Sequence, residues 1–457
     1  MQIMPKLSRR TAVGSCVASV AAATAVQAAD LDFVLPRETK YPPLNVPTPQ
    51  DPSAQQLWET TAHKAFAFFW NETSPATGLT KDRARSLLDG GPDPYSIASI
   101  AATGYMLAAL AIGVERGWID RSAASARART TLHFLEAQMP HQHGFFYHFV
   151  DLHTGQRVWK SEVSSIDTAL LVLGALTAGQ YFGGETAQRA EALFARIDWQ
   201  WMQARRGDDP ADVPLRMGWK PSGFLNARWQ QYDESSLLYL LALGAPKYSL
   251  PGSAWDRWGM GEMLHEGVCI PGRPGPLFWA QMTPAYYPLA GLRDRTGRAW
   301  WQLWANAHQA HYTYCARNPQ RYPRHQEPLW GISACGQPPK RPGASIRYRA
   351  QSPADGANDG TIAPTAALAA VTFMPETAER TLQDMFTHYG ANAWGRYGFA
   401  NAINPARSWA DTDVIGIDLG MMLLAVENHR TGLIWRLISG HPAVQKGMNA
   451  AGFHKAA

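Results

Sequence analysis

Carboxylates gather at the starts of apolar runs in this chain. In "SSIDTALLVLGALTAG" (164–179) one acid, Asp167, stands in a stretch that is otherwise apolar or small, and Glu162 lies just upstream. The pattern recurs: Asp233 and Glu234 open "ESSLLYLLALG" (234–244), Asp355 and Asp359 precede or open "GTIAPTAALAAV" (360–371), and Asp411 and Asp413 open "TDVIGIDLGMMLLAVEN" (412–428). Taken singly, each can be a helix cap, since an acid in a first turn gains about 0.3 to 1 kcal/mol from the helix dipole. Taken together, with Trp159, Trp229, Tyr232 and Trp409 close by in sequence, they suit a second purpose. Two carboxylates facing across an aromatic-lined pocket can hydrolyse a glycosidic bond. One is protonated and releases the leaving oxygen, while the other is ionised and activates water or attacks carbon.

Other chemistries find less support. The chain has no G-x-S-x-G elbow, no phosphate-binding glycine loop and no H-E-x-x-H pair. His308, His311 and Cys315 share one helical face, but packing on an aromatic-rich helix accounts for them, so neither metal nor cofactor is expected. His141, His143 and His148 read as surface or sugar-contacting residues.

The elements that must position these acids are helical. Amphipathic stretches fall near 54–70, 122–138, 186–203, 298–317 and 376–389. Between them lie runs that are apolar or small on every side: 96–113, 164–179, 234–244, 360–371 and 412–428. A helix apolar all round is buried all round, and these runs are too short or too interrupted to span a bilayer. A sixth pair is expected from 253–264 and 283–292. Six outer helices alternating with six buried ones describe an all-α fold, an (α/α)6 barrel or toroid, whose parallel inner helices bring their N-termini to one end. A β-hairpin is expected around "HTG" in 143–162, and the long segment 318–359 reads as a functional loop.

Residues 1–29 carry Lys6, Arg9 and Arg10 followed by a small, apolar stretch and "VQA", which is the pattern of a cleaved export signal compatible with the twin-arginine route. Export to the periplasm or outside the cell is therefore expected, with 30–53 as an extended lead-in and 54–457 as the catalytic domain. Without those three cations the net charge of +5 falls to +2, and no basic run remains. Nucleic acid and a membrane anchor are thus poor expectations, and a monomer is expected. Cys269, Cys315 and Cys335 would remain, as one bridge plus a thiol or as three buried thiols.

The stretches "FFWNETSPATGLTKDR", "SIASIAATGYMLAALAIGVERGWI", "GFFYHFVDLHTG", "SEVSSIDTALLVLGAL", "IDWQWM", "YDESSLLYLLALG", "PLWGISA", "DGTIAPTAALA" and "IGIDLGMMLLAVENHRTGLIW" occur in order from about residue 54 to 455. As a block they resemble the bacterial glucoamylase-like family, which includes the endo-β-1,2-glucanases of glycoside hydrolase family 144 and a domain of cyclic β-1,2-glucan synthases. The resemblance implies an (α/α)6 barrel that hydrolyses β-1,2-glucan with inversion and without a cofactor. It makes Glu234 the general acid and Asp167 the second important acid, with Glu162 in the same motif. Asp411 and Asp413 are candidates for the base. Asp82, Arg83 and Asp359 look like family sugar-contacting or loop-fixing positions, and Trp159, Trp229, Tyr232, Trp330, Trp409 and Asp413 are further expected substrate-binding residues. "AYYPLAGLR" (285–293) and 336–358 depart from the family pattern. Exo action on oligosaccharides, hydrolysis of an α-glucan, and a toroid that binds carbohydrate without cleaving it therefore stay open.

Overall fold

The computed structural model describes residues 41–87, 93–203, 214–256, 261–341, 344–355 and 358–456. The expected export signal lies outside these residues, as does the lead-in before Tyr41. The chain is mostly helical: α1 (Ala54–Asn71), α2 (Ile100–Glu115), α3 (Arg121–Ala137), α4 (Ser165–Phe182), α5 (Gly184–Ala195), α6 (Trp199–Gln203), α7 (Ser236–Gly244), α8 (Ser253–Asp256), α9 (Trp300–Arg317), α10 (Pro364–Ala369), α11 (Pro375–Ala393), α12 (Gly416–Thr431), α13 (Leu433–Ser439) and α14 (Pro442–Ala450). None of the described helices is long and apolar enough to cross a membrane.

The five runs that are apolar on every side became α2, α4, α7, α10 and α12, and each is buried along nearly its whole described length. They pack in the spatial order α10, α12, α2, α4, α7. The amphipathic helices cover them: α1 lies against α2, α11 and α12, α3 and α5 against each other and α4, and α14 against α7. Small residues set the spacing inside. A Cβ on Gly174 of α4 would stand 1.8 Å from the Gly104 carbonyl oxygen of α2, and one on Gly104 would stand 2.4 Å from the Leu170 carbonyl oxygen. Only hydrogen fits at either place, so these two helices touch backbone to backbone.

The expected sixth pair did not form as two helices. After the four residues of α8, Glu262–His265 and Val268–Pro271 make an antiparallel hairpin through Glu266 and Gly267, both at positive φ. In the stretch expected as its inner partner, Pro284 and Pro288 cannot donate backbone hydrogen bonds. Residues 277–287 instead fold as a 3-10 turn and successive tight turns, with Tyr286 and Tyr287 fully buried. The expected hairpin in 143–162 forms loosely, held by the Val150–Arg157 bridge and by the His148 and Asp151 amides, which donate to the Glu162 and Gln156 carbonyls, while Phe149–Asp151 also pairs with Ile97–Ser99. Cys269, Cys315 and Cys335 are all free, the first exposed and the other two buried.

Candidate active site

A short strand runs directly into each of three buried helices. Ile97–Ser99 leads into α2, Val163–Ser164 into α4 and Asp413–Ile415 into α12. Each strand is pinned by an antiparallel partner: Phe149–Asp151, Gly218–Lys220 and Arg83–Arg85 respectively. The registers place specific side chains. Ser99 faces Phe149, which seats His148 beside the start of α2, and Arg83 faces Ile415, which seats Asp82 and Arg83 beside the start of α12. The Gly416 amide donates to the Asp82 carbonyl at 2.7 Å and closes that junction.

These helix starts line one cleft of about 480 Å³. Its polar wall is Asp82, Arg83, His148, Asp167, Glu234 and Asp418, and Phe149, Phe278, Met282, Met421 and Tyr348 supply apolar surface. Tyr348 comes from the strand Arg347–Ala350 within the long segment 318–359, which pairs with Ala334–Gln337.

The carboxylates differ in their surroundings. Ser164 caps α4 by accepting the Asp167 amide at 3.2 Å, and its hydroxyl donates to Asp167 Oδ2 at 2.5 Å. His148 stands between two acids, with Nδ1 3.0 Å from Glu162 Oε1 and Nε2 3.4 Å from Asp167 Oδ1. Burial opposes a charged imidazole, but the Asp167 charge and the Glu162 bond outweigh it, so the His148 pKa is raised. The same bond holds Glu162 down at about 2, against the opposing effect of burial. Glu234 is the reverse case. Burial, the neighbouring charge of Asp233 and that of Asp167 push its carboxyl well above the usual carboxylate range. Burial also raises Asp233, whose Oδ1 accepts the Ser235 amide at 2.9 Å.

Asp418 was not singled out in the sequence, yet it faces the cleft. Its Oδ2 accepts from Asn401 Nδ2 at 2.7 Å, and burial, with the nearby charge of Asp82, pushes it to about 7. Asp82 itself accepts from Arg83 Nε at 3.0 Å and from the Tyr95 hydroxyl at 3.3 Å. A signal for Asp418 was present: "SSID" and "IGID" each place an acid three residues after the last extended residue, at the same point of a buried helix.

Other expected site residues are placed elsewhere. Trp330 is fully buried and donates its indole N–H to Thr381 Oγ1 at 2.9 Å, so it packs the core rather than meeting a ligand. Trp229 is buried and donates to Ser165 Oγ at 2.8 Å, which ties the approach to α7 onto the start of α4. Tyr232 is buried against Trp279 and Trp300. Asp359 bonds the Thr361 amide and hydroxyl within its own turn, and Trp409 lies half-buried on a strand paired to Ile403–Asn404. Asp411 is buried with its carboxylate over Gly336 and pushed to about 6 by burial. Asp413 lines a neighbouring basin of about 380 Å³ with Arg83, Arg85, Asp93 and Tyr95. Trp159, by contrast, is 59% exposed at a positive φ, with its ring 5.2 Å from that of Phe149 on the cleft wall. Among the described residues no group of three or more His, Cys, Asp and Glu side chains could hold a metal ion.

The resemblance drawn from the motifs is borne out along most of the chain. Residues 226–442 match the model of the glucoamylase-like family described as "Putative glucoamylase". Over 440 residues the chain is 27% identical to the exo β-1,2-glucooligosaccharide sophorohydrolase (non-reducing end) of Parabacteroides distasonis, covering 86% of this chain and 57% of that protein. It thus spans little more than half the length of this curated relative. A solved "putative glucoamylase" of Bacteroides caccae is 27% identical with a TM-score of 0.77, covering 88% of this chain and 100% of that one. The endo-β-1,2-glucanase of Chitinophaga pinensis, solved with sophorotriose and glucose, is 25% identical with a TM-score of 0.77, covering 88% and 99%.

Proposed function

We propose that this chain is a glycoside hydrolase that cleaves internal bonds of β-1,2-glucan, with Glu234 as general acid. The observation that carries the reading is the cleft itself. A glutamate whose proton is held by burial stands there with three further carboxylates, in a chain similar to enzymes named for β-1,2-glucan and its oligosaccharides. An acid that must deliver a proton at neutral pH needs its pKa raised to that range. Asp418 has the matching property for a base: at about 7 it is poised to take a proton from water. It replaces Asp411 and Asp413 in that role, because it faces the cleft and they do not line it. Asp167 then orients sugar or water and, by its charge, helps keep Glu234 protonated. If acid and base act directly with inversion, their carboxyls stand about 6.5 to 9.5 Å apart in the complex.

The five mutually packed buried helices support an (α/α)6 toroid in which the buried turns of 277–287 take the sixth inner place. Trp159 at the cleft rim is a platform for stacking a sugar face. Residues 1–29 would direct export, and sequencing the N-terminus of protein recovered from the periplasm or medium tests this.

A second reading is exo action that releases short products, favoured by the sophorohydrolase relative. Incubation with linear β-1,2-glucan, starch and laminarin separates the possibilities. A broad range of intermediate sizes from the glucan at early times supports endo action, and one short product from the outset supports exo action. Products from starch alone would make the substrate an α-glucan. Binding without cleavage of any of the three would leave a carbohydrate-binding toroid.

A further inference from the structure

Neutral imidazole has one N–H, and a carboxylate has only acceptors to offer it. His148 nevertheless presents Nδ1 to Glu162 at 3.0 Å and Nε2 to Asp167 at 3.4 Å. Both nitrogens can meet carboxylates favourably only when both carry hydrogen. The ring has little freedom to do otherwise. The His148 amide donates to the Glu162 carbonyl at 2.9 Å, its own carbonyl accepts from the Ile100 amide at 3.3 Å, and its ring stacks on Phe149 with centroids 3.8 Å apart. The backbone of this one residue is therefore bonded both to the start of α2 and to the strand that feeds α4.

We propose that His148 is a positioning residue, a doubly protonated clamp that fixes the Asp167 carboxylate in its cleft-facing orientation. The inference rests on the glycosidase reading above for its consequence in catalysis, though not for the clamp itself. With one Asp167 oxygen facing His148 and the other bonded to Ser164, that side chain cannot turn away from the cleft. The Asp167 charge is in turn one of the influences that raise Glu234. The other charges facing this group are Asp82, which favours the imidazolium, and Lys220, which acts on Glu162 from the adjoining strand. Arg83 tempers Asp82 by pairing with it. The surrounding charge thus favours the cationic ring.

Two readouts separate the clamp from the glycosidase reading. The first needs no substrate: in an NMR titration of the whole protein, with the His148 signal assigned through His148→Gln, the wild-type ring should titrate above a free histidine. Glu162→Gln and Asp167→Asn should each bring it down. An ordinary or lowered midpoint overturns the clamp whether or not the protein cleaves glucan. The second is the split of the loss between kcat and KM, with rescue by the conservative variant. His148→Gln keeps one hydrogen-bond donor for Asp167, whereas His148→Leu keeps none. kcat should fall roughly 10- to 100-fold with KM little changed, and His148→Leu should fall further. Equal loss in both variants overturns the clamp, as would a loss carried by KM alone. Failure of the wild type to hydrolyse β-1,2-glucan would overturn the glycosidase reading while leaving the titration intact. If Glu162→Gln or Asp167→Asn does not fold, the wild-type titration alone decides, and His148→Leu assigns the signal where His148→Gln fails to fold.

Discussion

Two glutamates on the same side of the molecule are moved in opposite directions, and the difference is the partner. Glu162 meets a cationic ring and is held near 2, whereas Glu234 meets buried surface and other acids and is raised. Glu234→Gln should therefore lower kcat on β-1,2-glucan by about 10² to 10⁴, while glucan binding and the circular dichroism spectrum stay as in the wild type; near-normal turnover would remove Glu234 from the acid role. The pH profile follows with its signs. A base with a midpoint of about 7 at Asp418 must lose its proton, giving a rising limb near neutrality. An acid at Glu234 must keep its proton, giving a falling limb above that. Asp418→Asn should abolish most turnover and remove the rising limb from what remains, and a rising limb that survives would assign the base elsewhere. Sequence made Glu234 and Asp167 legible because each opens an apolar run, and Asp418 was legible by the same rule. It was passed over because Asp411 and Asp413 stand nearer the apparent start of the run. The helix begins only at Gly416, after those acids have been spent on a strand and a turn. The aromatics were harder to place: Trp229 and Tyr232 shortly precede Asp233 in sequence, yet their rings, like that of Trp330, complete the core.

At the scale of elements, a strand of two or three residues feeding straight into a buried helix fixes where the first turn begins. It thereby fixes which residue of that turn reaches the cleft. The spacing of the helices behind it depends on glycine. Gly104→Ala would press a methyl group against the Leu170 carbonyl at 2.4 Å, and relief requires α2 and α4 to part. The expected cost is about 1 to 3 kcal/mol or more from overpacking, read as a lower urea midpoint with an unchanged slope. Gly261→Ala, where a Cβ meets nothing within 4 Å, should stay within about 0.5 kcal/mol of the wild type. Equal effects at the two positions would show that the α2–α4 contact does not set the spacing. The five all-round apolar runs were readable because nothing but a buried helix suits them. The sixth position was not, since its apolar content matches the others while Pro284 and Pro288 deny it the hydrogen bonds of a helix.

Across the whole molecule, the raised carboxyls make activity and stability pull apart. Glu234, Asp233, Asp418 and Asp411 all hold protons more tightly folded than unfolded. Between the ordinary carboxylate range near pH 4 and their raised midpoints, the folded state binds more protons than the unfolded one. Stability therefore declines as pH rises through that window. Glu162 acts with the opposite sign: its contribution is present above about 4.5 and is lost as pH falls toward 2. Replacing Glu234 and Asp418 together by Gln and Asn removes two acids whose ionisation opposes folding, at the expense of catalysis. The double variant should melt on the order of a few degrees above the wild type at pH 8. At pH 3, where both wild-type acids are protonated in the fold and largely so in the unfolded chain, the gap should nearly close. Differential scanning calorimetry across that range checks the sign as well as the size. A gap that is constant with pH would trace to packing alone, and a gap that reverses would show that these carboxylates are stabilised by partners rather than burdened by burial.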